Sequence, residues 1–172
     1  MIEREKTYLA KYVPEGLLNC RSKEIIDIYI PDSAEHPILR IRKNDDTHEI
    51  TKKTPVSGTD SAEQIEPTIP LTADEYKALS TINGKRVCKQ RYYYEYQGRM
   101  AEIDMFDGEL KGLVIVDVEF ENSEDKNNFT IPDFCLADVT QEKAFAGGML
   151  CGKRYADIEQ NLKQYNYVSL SI

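Results

Sequence analysis

Residues 113–121 read Leu113-Val114-Ile115-Val116-Asp117-Val118-Glu119-Phe120-Glu121, and their alternation decides the fold. Successive side chains of a strand point to opposite faces, so Val114, Val116, Val118 and Phe120 share one side and Asp117, Glu119 and Glu121 the other. The same period recurs along the chain and predicts strands near 2–9, 25–30, 38–44, 47–53, 62–68, 86–96, 99–106 and 113–121. Asn44-Asp45-Asp46 and Gln97-Gly98 suit hairpin turns. Eight strands with short connections predict an antiparallel barrel, closed or nearly closed, or a highly curved sheet. Thr72-Ala73-Asp74-Glu75 matches a capping box and opens a helix to about Ser80. Further short helices are expected around 122–128, 141–151 and 154–164, packed outside the strands, and residues 54–62 are expected to form the most mobile loop. The fold class is therefore α+β, with one domain over residues 1–172.

The 172 residues are 41% hydrophobic and 30% charged, enough apolar surface for one core. Lys and Arg number 22 against 30 Asp and Glu, a formal charge of −8, which disfavours a nucleic-acid surface while leaving room for a small basic pocket. The longest aliphatic run, Leu113 to Val116, is far short of a membrane span, and Met1-Ile2-Glu3-Arg4-Glu5-Lys6 is charged where a signal peptide needs an apolar stretch. Cys20, Cys88, Cys135 and Cys151 form no CxxC pair, which fits a reducing compartment, so a cytoplasmic location is expected, with no membrane partner. His36 and His48 fall in expected turns and read as exposed, and zinc is disfavoured.

The charges on the strands are sorted by sign. Glu3 and Glu5, then Glu102 and Asp104, then Asp117 and Glu119 make acidic pairs at i and i+2, while Arg40 with Arg42 and Lys89 with Arg91 make basic ones. Like charges held side by side repel and need compensation from a facing partner. An economical arrangement turns all these faces into one barrel interior, with bases for a polyanion and acids for a divalent metal. Tyr92, Tyr93, Tyr94 and Tyr96 read as packing residues.

Taken in order, these motifs resemble the CYTH superfamily of triphosphate tunnel metalloenzymes, which includes class IV adenylate cyclases, thiamine triphosphatases and inorganic tripolyphosphatases. Glu3-Arg4-Glu5-Lys6-Thr7-Tyr8-Leu9 is similar to the family's Glu-x-Glu-x-Lys strand, with Thr7 in the lysine position. Leu39-Arg40-Ile41-Arg42, Ile50-Thr51-Lys52-Lys53, Lys89-Gln90-Arg91-Tyr92, Glu102-Ile103-Asp104-Met105-Phe106, Asp117-Val118-Glu119-Phe120 and Asp138-Val139-Thr140 resemble its further segments, over roughly residues 1–155. Ala62-Glu63-Gln64-Ile65-Glu66 keeps Glu66 but lacks the usual arginine and first glutamate. The cation missing at Thr7 has two readings. Either the tunnel has one cation fewer, or Lys6 turns inward through a local bulge.

The resemblance implies one CYTH-like domain, a Mg²⁺ or Mn²⁺ cofactor, and hydrolysis of inorganic tripolyphosphate or a small organic triphosphate. A cyclase-like lyase acting on ATP and a weakly active polyphosphate- or nucleotide-binding module are the alternatives, and a homodimer is compatible with any of them. A triphosphate carries about four negative charges near neutral pH, which Arg40, Arg42, Lys53, Lys89 and Arg91 would meet, with Lys53 preferred to the adjacent Lys52. Glu3, Glu5, Asp117 and Glu119 are the implied metal ligands. Glu5, Glu66 and Lys89 are the candidate catalytic groups, with Glu102, Asp104 and Glu121 behind them or at a second metal.

Overall fold

A computed structural model describes residues 2–57 and 60–170. In chain order the strands are β1 (Ile2–Ala10), β2 (Ser22–Ile30), β3 (Leu39–Asn44), β4 (Thr47–Lys52), β5 (Thr54–Pro55), β6 (Glu63–Ile65), β7 (Thr68–Leu71), β8 (Lys85–Tyr96), β9 (Arg99–Phe106), β10 (Val114–Glu119) and β11 (Cys135–Asp138). The helices are α1 (Ala73–Leu79), α2 (Ser123–Asn128), α3 (Gly147–Leu150) and α4 (Tyr155–Lys163). Thr72 and Glu75 form the expected capping box at the start of α1. No helix among the described residues is long and apolar enough to cross a membrane.

The strands form one antiparallel sheet in the order β5-β6-β1-β10-β9-β8-β2-β3-β4-β7, with β11 also paired to β1. The antiparallel α+β fold is as expected, but of the barrel, closed or nearly closed with eight strands, full closure is not found: the described residues make eleven strands, and β5 and β7 at the ends of the order do not pair. The covalent chain brings the two ends together instead. Lys53 alone separates β4, near one end of the order, from β5 at the other, and Glu66-Pro67 makes the same crossing from β6 to β7. The expected strand over 62–68 therefore breaks at Pro67, which has no N–H for a ladder. Next to the crossing, Lys52 N donates to Pro67 O at 3.3 Å, extending the β4–β7 ladder by one step.

Two further expectations need correction. Part of the 54–62 loop is strand, since Thr54 and Pro55 pair with Ile65 and Gln64, while Gly58 and Thr59 lie outside the described residues. The helix over 141–151 is reduced to a 3-10 turn at Lys143–Phe145 and the single turn of α3, the two separated by Ala146 in an extended conformation. β11 was absent from the sequence reading, because Cys135-Leu136-Ala137-Asp138 has no period-two pattern.

Alternation gives the sheet two apolar surfaces. Tyr8, Ile103, Val114, Val116 and Val118 point outward and are covered by Leu17, Phe129 and Phe134. Tyr92, Tyr94 and Tyr96 join this outer layer, as the packing reading expected, whereas Tyr93 falls on the opposite face, with the Arg21 guanidinium 4.1 Å over its ring. The other face is divided along its length. Leu9, Val87, Phe106 and Ile115 pack on Phe145, Leu150, Ile158 and Leu162 from the C-terminal segment. The charged stretch of the same face is left to line a cavity. At the junction, α3 lies so close to the connection before β3 that a Cβ on Gly148 would meet the Pro37 carbonyl oxygen and the His36 ring. Gly148→Ala is expected to destabilise the protein by about 1–3 kcal/mol, as overpacking does, read from urea midpoints at unchanged m-value.

Candidate active site

Strand register stacks the inward residues in layers. Glu5 stands opposite Glu119, and one layer deeper Thr7 stands opposite Asp117, which in turn faces Glu102. Arg91 pairs with Asp104 across β8 and β9, and Arg42 with Asp27 across β2 and β3. The layers enclose a cavity of about 340 Å³ lined by Glu3, Glu5, Arg40, Arg42, Lys53, Glu66, Lys89, Arg91, Glu102, Asp104, Asp117 and Glu119. Every site residue named from the sequence is thus in one wall, with a single exception. Glu121 lies past the end of β10, exposed and outside the cavity.

The cations are held in advance. Arg42 donates from Nε and Nη2 to the two oxygens of Asp27 at 2.7 and 2.8 Å, with both side chains buried. Burial opposes ionisation of Asp27, but the Arg42 guanidinium outweighs it and holds the carboxyl well below its usual range. Arg91 makes a second fork to Asp104, at 2.6 and 2.7 Å, and also bonds Glu102. Lys89 bonds the same Asp104. Against the cost of burial, Arg91 and Lys89 keep the Asp104 pKa down at about 2. Burial in turn lowers the pKa of Lys89, although Asp104 opposes it. Lys53 Nζ lies 2.5 Å from Glu3 and 2.9 Å from Glu66, while Lys52 is exposed. Arg40 is the loosest of the set: Glu66 is 3.6 Å away, and its buried Nε has no hydrogen-bond acceptor among the described residues. An inward donor of this kind suits an anionic ligand.

The acids gather at one end. Carboxylate oxygens of Glu3, Glu5 and Glu119 lie within 4.8 Å of one another. Burial and then Glu5 raise the pKa of Glu3 to about 7, and burial followed by Glu102 and Glu5 raises that of Glu119. Three crowded carboxylates with only oxygen donors fit a hard divalent cation such as Mg²⁺ or Mn²⁺, whose charge would relieve their repulsion. Asp117, expected among the ligands, is not in this group. It sits one layer deeper, accepts a 2.8 Å hydrogen bond from Thr7 Oγ1 and lies 3.6 Å from Arg91. Burial, then Glu5 and Asp104, raise its pKa to about 8.

Thr7 itself faces the cavity, whereas Lys6 lines a separate outer hollow with Ala62 and Asp138. The inward-bulge account of Lys6 is thereby overturned, because the register shift in β1 falls between Leu9 and Ala10. The histidine reading holds only for the position of His36, which lies in the bend before β3; both histidines are half-buried rather than exposed. His36 lines the cavity beside α3, and His48 lies within β4, its ring 4.6 Å from that of Tyr76. Sequence reasoning missed Asp27, the counter-ion of Arg42. Its signal was a lone acid within Ile25-Ile26-Asp27-Ile28-Tyr29-Ile30, where an unpaired charge would be costly to bury.

No family model matches the chain. An inorganic triphosphatase from Nitrosomonas europaea is 29% identical over 146 residues, covering 84% of this chain and 93% of the relative. A crystal structure of the inorganic triphosphatase NE1496 matches with a TM-score of 0.63 at 24% identity, over 88% of this chain and 95% of that one. A crystal structure of a putative adenylate cyclase from Bacillus halodurans matches with a TM-score of 0.54 at 15% identity, over 99% and 92% of the two chains. The structural likenesses establish the antiparallel α+β fold. Together with the curated relative they bear out the resemblance to the CYTH superfamily drawn from the motifs.

Two outcomes follow from this geometry. Asp27→Asn leaves the buried Arg42 charge without its carboxylate and is expected to cost about 3 kcal/mol in urea unfolding. The raised carboxylates give a pH signature. Glu3 and Asp117 bind protons more tightly folded than unfolded, so in a chelator stability falls as pH rises from about 5 to about 8. Added Mg²⁺ is expected to flatten that fall, measured by melting temperature against pH. A profile unchanged by the metal would count against the carboxylate group as its site.

Proposed function

We propose that this chain is a metal-dependent triphosphate hydrolase acting on inorganic tripolyphosphate or a small organic triphosphate within the cavity. The single observation that carries the reading is the charge arrangement inside one space, with guanidinium and ammonium groups on β3 and β8 lining the same cavity as a group of three carboxylates on β1 and β10, and Lys53 bonded to one of the three. The likeness to an inorganic triphosphatase supports the same reaction.

Arg40, Arg42, Lys53, Lys89 and Arg91 would bind the phosphate chain, the two β3 arginines through planar forks that match phosphate oxygens. Glu3, Glu5 and Glu119 would hold Mg²⁺ or Mn²⁺. When bound, the cation polarises phosphorus–oxygen bonds and neutralises developing charge. The attack of a water oxygen on a terminal phosphorus breaks the bridging bond and releases orthophosphate and pyrophosphate. Glu5 or Glu66 would orient that water and take its proton, and Lys89, with its lowered pKa, would stabilise the departing pyrophosphate. Asp104 and Glu102 keep Lys89 and Arg91 in position. This is a single domain in this reading, working in the cytoplasm, with no nucleic-acid or membrane partner.

Phosphate release from tripolyphosphate, ATP and thiamine triphosphate, each with Mg²⁺, Mn²⁺ or a chelator, tests the proposal. Metal-dependent orthophosphate release is expected, greatest with tripolyphosphate. Cyclic AMP with pyrophosphate would instead identify a lyase, and tight binding without turnover a binding module. Glu119→Gln keeps the side-chain volume and removes one ligand charge, and should lower kcat by about two orders of magnitude or more. Its metal-free melting temperature should hold or rise, because the repulsion with Glu5 and Glu102 is relieved.

A further inference from the structure

Lys53 occupies an unusual place. It is the one residue between β4 and β5, and so spans the seam where the two ends of the sheet order meet without pairing. Its ammonium is anchored by Glu3 of β1 at 2.5 Å and by Glu66, in the β6–β7 crossing itself, at 2.9 Å. Glu3 is also one of the three carboxylates within 4.8 Å of one another. The same carboxylate therefore serves as counter-ion to a substrate-facing lysine and as a ligand in the acidic group. It cannot do both fully at once: a divalent cation close to Glu3 would repel the ammonium and compete for the same oxygens.

We propose that Lys53 couples the two ligands, neutralising Glu3 while the acidic group is empty and swinging toward the phosphate chain when a divalent cation takes over Glu3. The inference rests on the hydrolase reading and adds cooperativity to it: metal and triphosphate each favour the binding of the other. Three features favour the movement. The lysine stem is flexible and keeps Glu66 as a second anchor, so release from Glu3 does not strand the charge. Lys53 lies outside the strand ladders, with its backbone N–H bonded to Ile38 O at 3.3 Å. The other cations are fixed by different means: Arg42 and Arg91 are forked onto Asp27 and Asp104, neither of which belongs to the acidic group. Among the described residues, Lys53 is the only cation whose ion pair uses a member of that group. Linkage then requires reciprocity, so that triphosphate, by drawing Lys53 away, opens Glu3 to metal by the same factor.

The test is calorimetric and independent of turnover. With Mg²⁺ as the only ligand, at one fixed pH, Lys53→Met should bind metal about three- to tenfold more tightly than the native protein, since it loses a competitor. With tripolyphosphate as the only ligand, in chelator, Glu3→Gln should bind about threefold or more tightly than the native protein, because Lys53 is released. Two controls separate coupling from bulk charge. Glu119→Gln removes the same charge from the group without touching Lys53 and should gain less, and in the double variant Glu3→Gln, Lys53→Met the gain should vanish. Equal gains from Glu3→Gln and Glu119→Gln, or a gain that survives without Lys53, would overturn the proposal, as would weaker Mg²⁺ binding by Lys53→Met. Should the native protein bind neither Mg²⁺ nor tripolyphosphate, the hydrolase reading itself fails, an outcome distinct from lost coupling.

Discussion

Everything in this structure depends on opposite charges meeting across one shared interior. A sheet face that carries Glu3, Glu5, Arg40, Arg42, Lys89, Arg91, Asp104 and Asp117 could not be buried if each strand kept its charges to itself. Curving the sheet puts acidic strands opposite or beside basic ones, and each buried cation then finds a carboxylate: Arg42 on Asp27, Arg91 and Lys89 on Asp104, Lys53 on Glu3 and Glu66. Such pairs contribute little net stability once desolvation is counted, but breaking one is expensive. They define the interior geometry more than they stabilise it.

The compensation is uneven, and the unevenness is where chemistry belongs. At the β3 side, Arg40 retains a buried donor with no acceptor among the described residues. At the β1–β10 side, three carboxylates crowd together and the pKa of Glu3 is pushed up to about 7. One region needs an anion and the other a cation. A triphosphate with a divalent metal supplies both at once, and binding would complete an electrostatic balance that the protein leaves open at its two ends.

The lower part of the same face shows how the cavity keeps its shape. Leu9, Ile115, Phe106 and Val87 continue the strands that carry Glu5, Asp117, Asp104 and Lys89, yet they meet Phe145, Leu150 and the helix α4 instead of solvent. That apolar packing anchors the strands and fixes the layers above it. A charged residue near the boundary, such as Asp117, is consequently more desolvated than Glu119 only two residues away, and that burial, with Glu5 and Asp104 nearby, pushes its pKa up to about 8.

Much of this was legible in the chain. The valine alternation in β10 fixed a strand with acids on one face, the Thr72–Glu75 spacing fixed the start of α1, and the uniform sign of each i,i+2 pair implied a shared interior. Local pattern suffices there because alternation and capping depend on neighbours along the chain. Three things needed the tertiary structure. The seam opens because Pro67 and the single-residue crossing at Lys53 prevent a closing ladder, a matter of where distant strands end. Asp27 became the partner of Arg42 through β2–β3 register, which no spacing within either strand reveals. Asp117 was separated from Glu3, Glu5 and Glu119 by one layer of depth, because register places it opposite Thr7 and not opposite Glu5. Sequence determined which face each charge occupies, while the pairing of strands decided how deep it lies and which charge it meets.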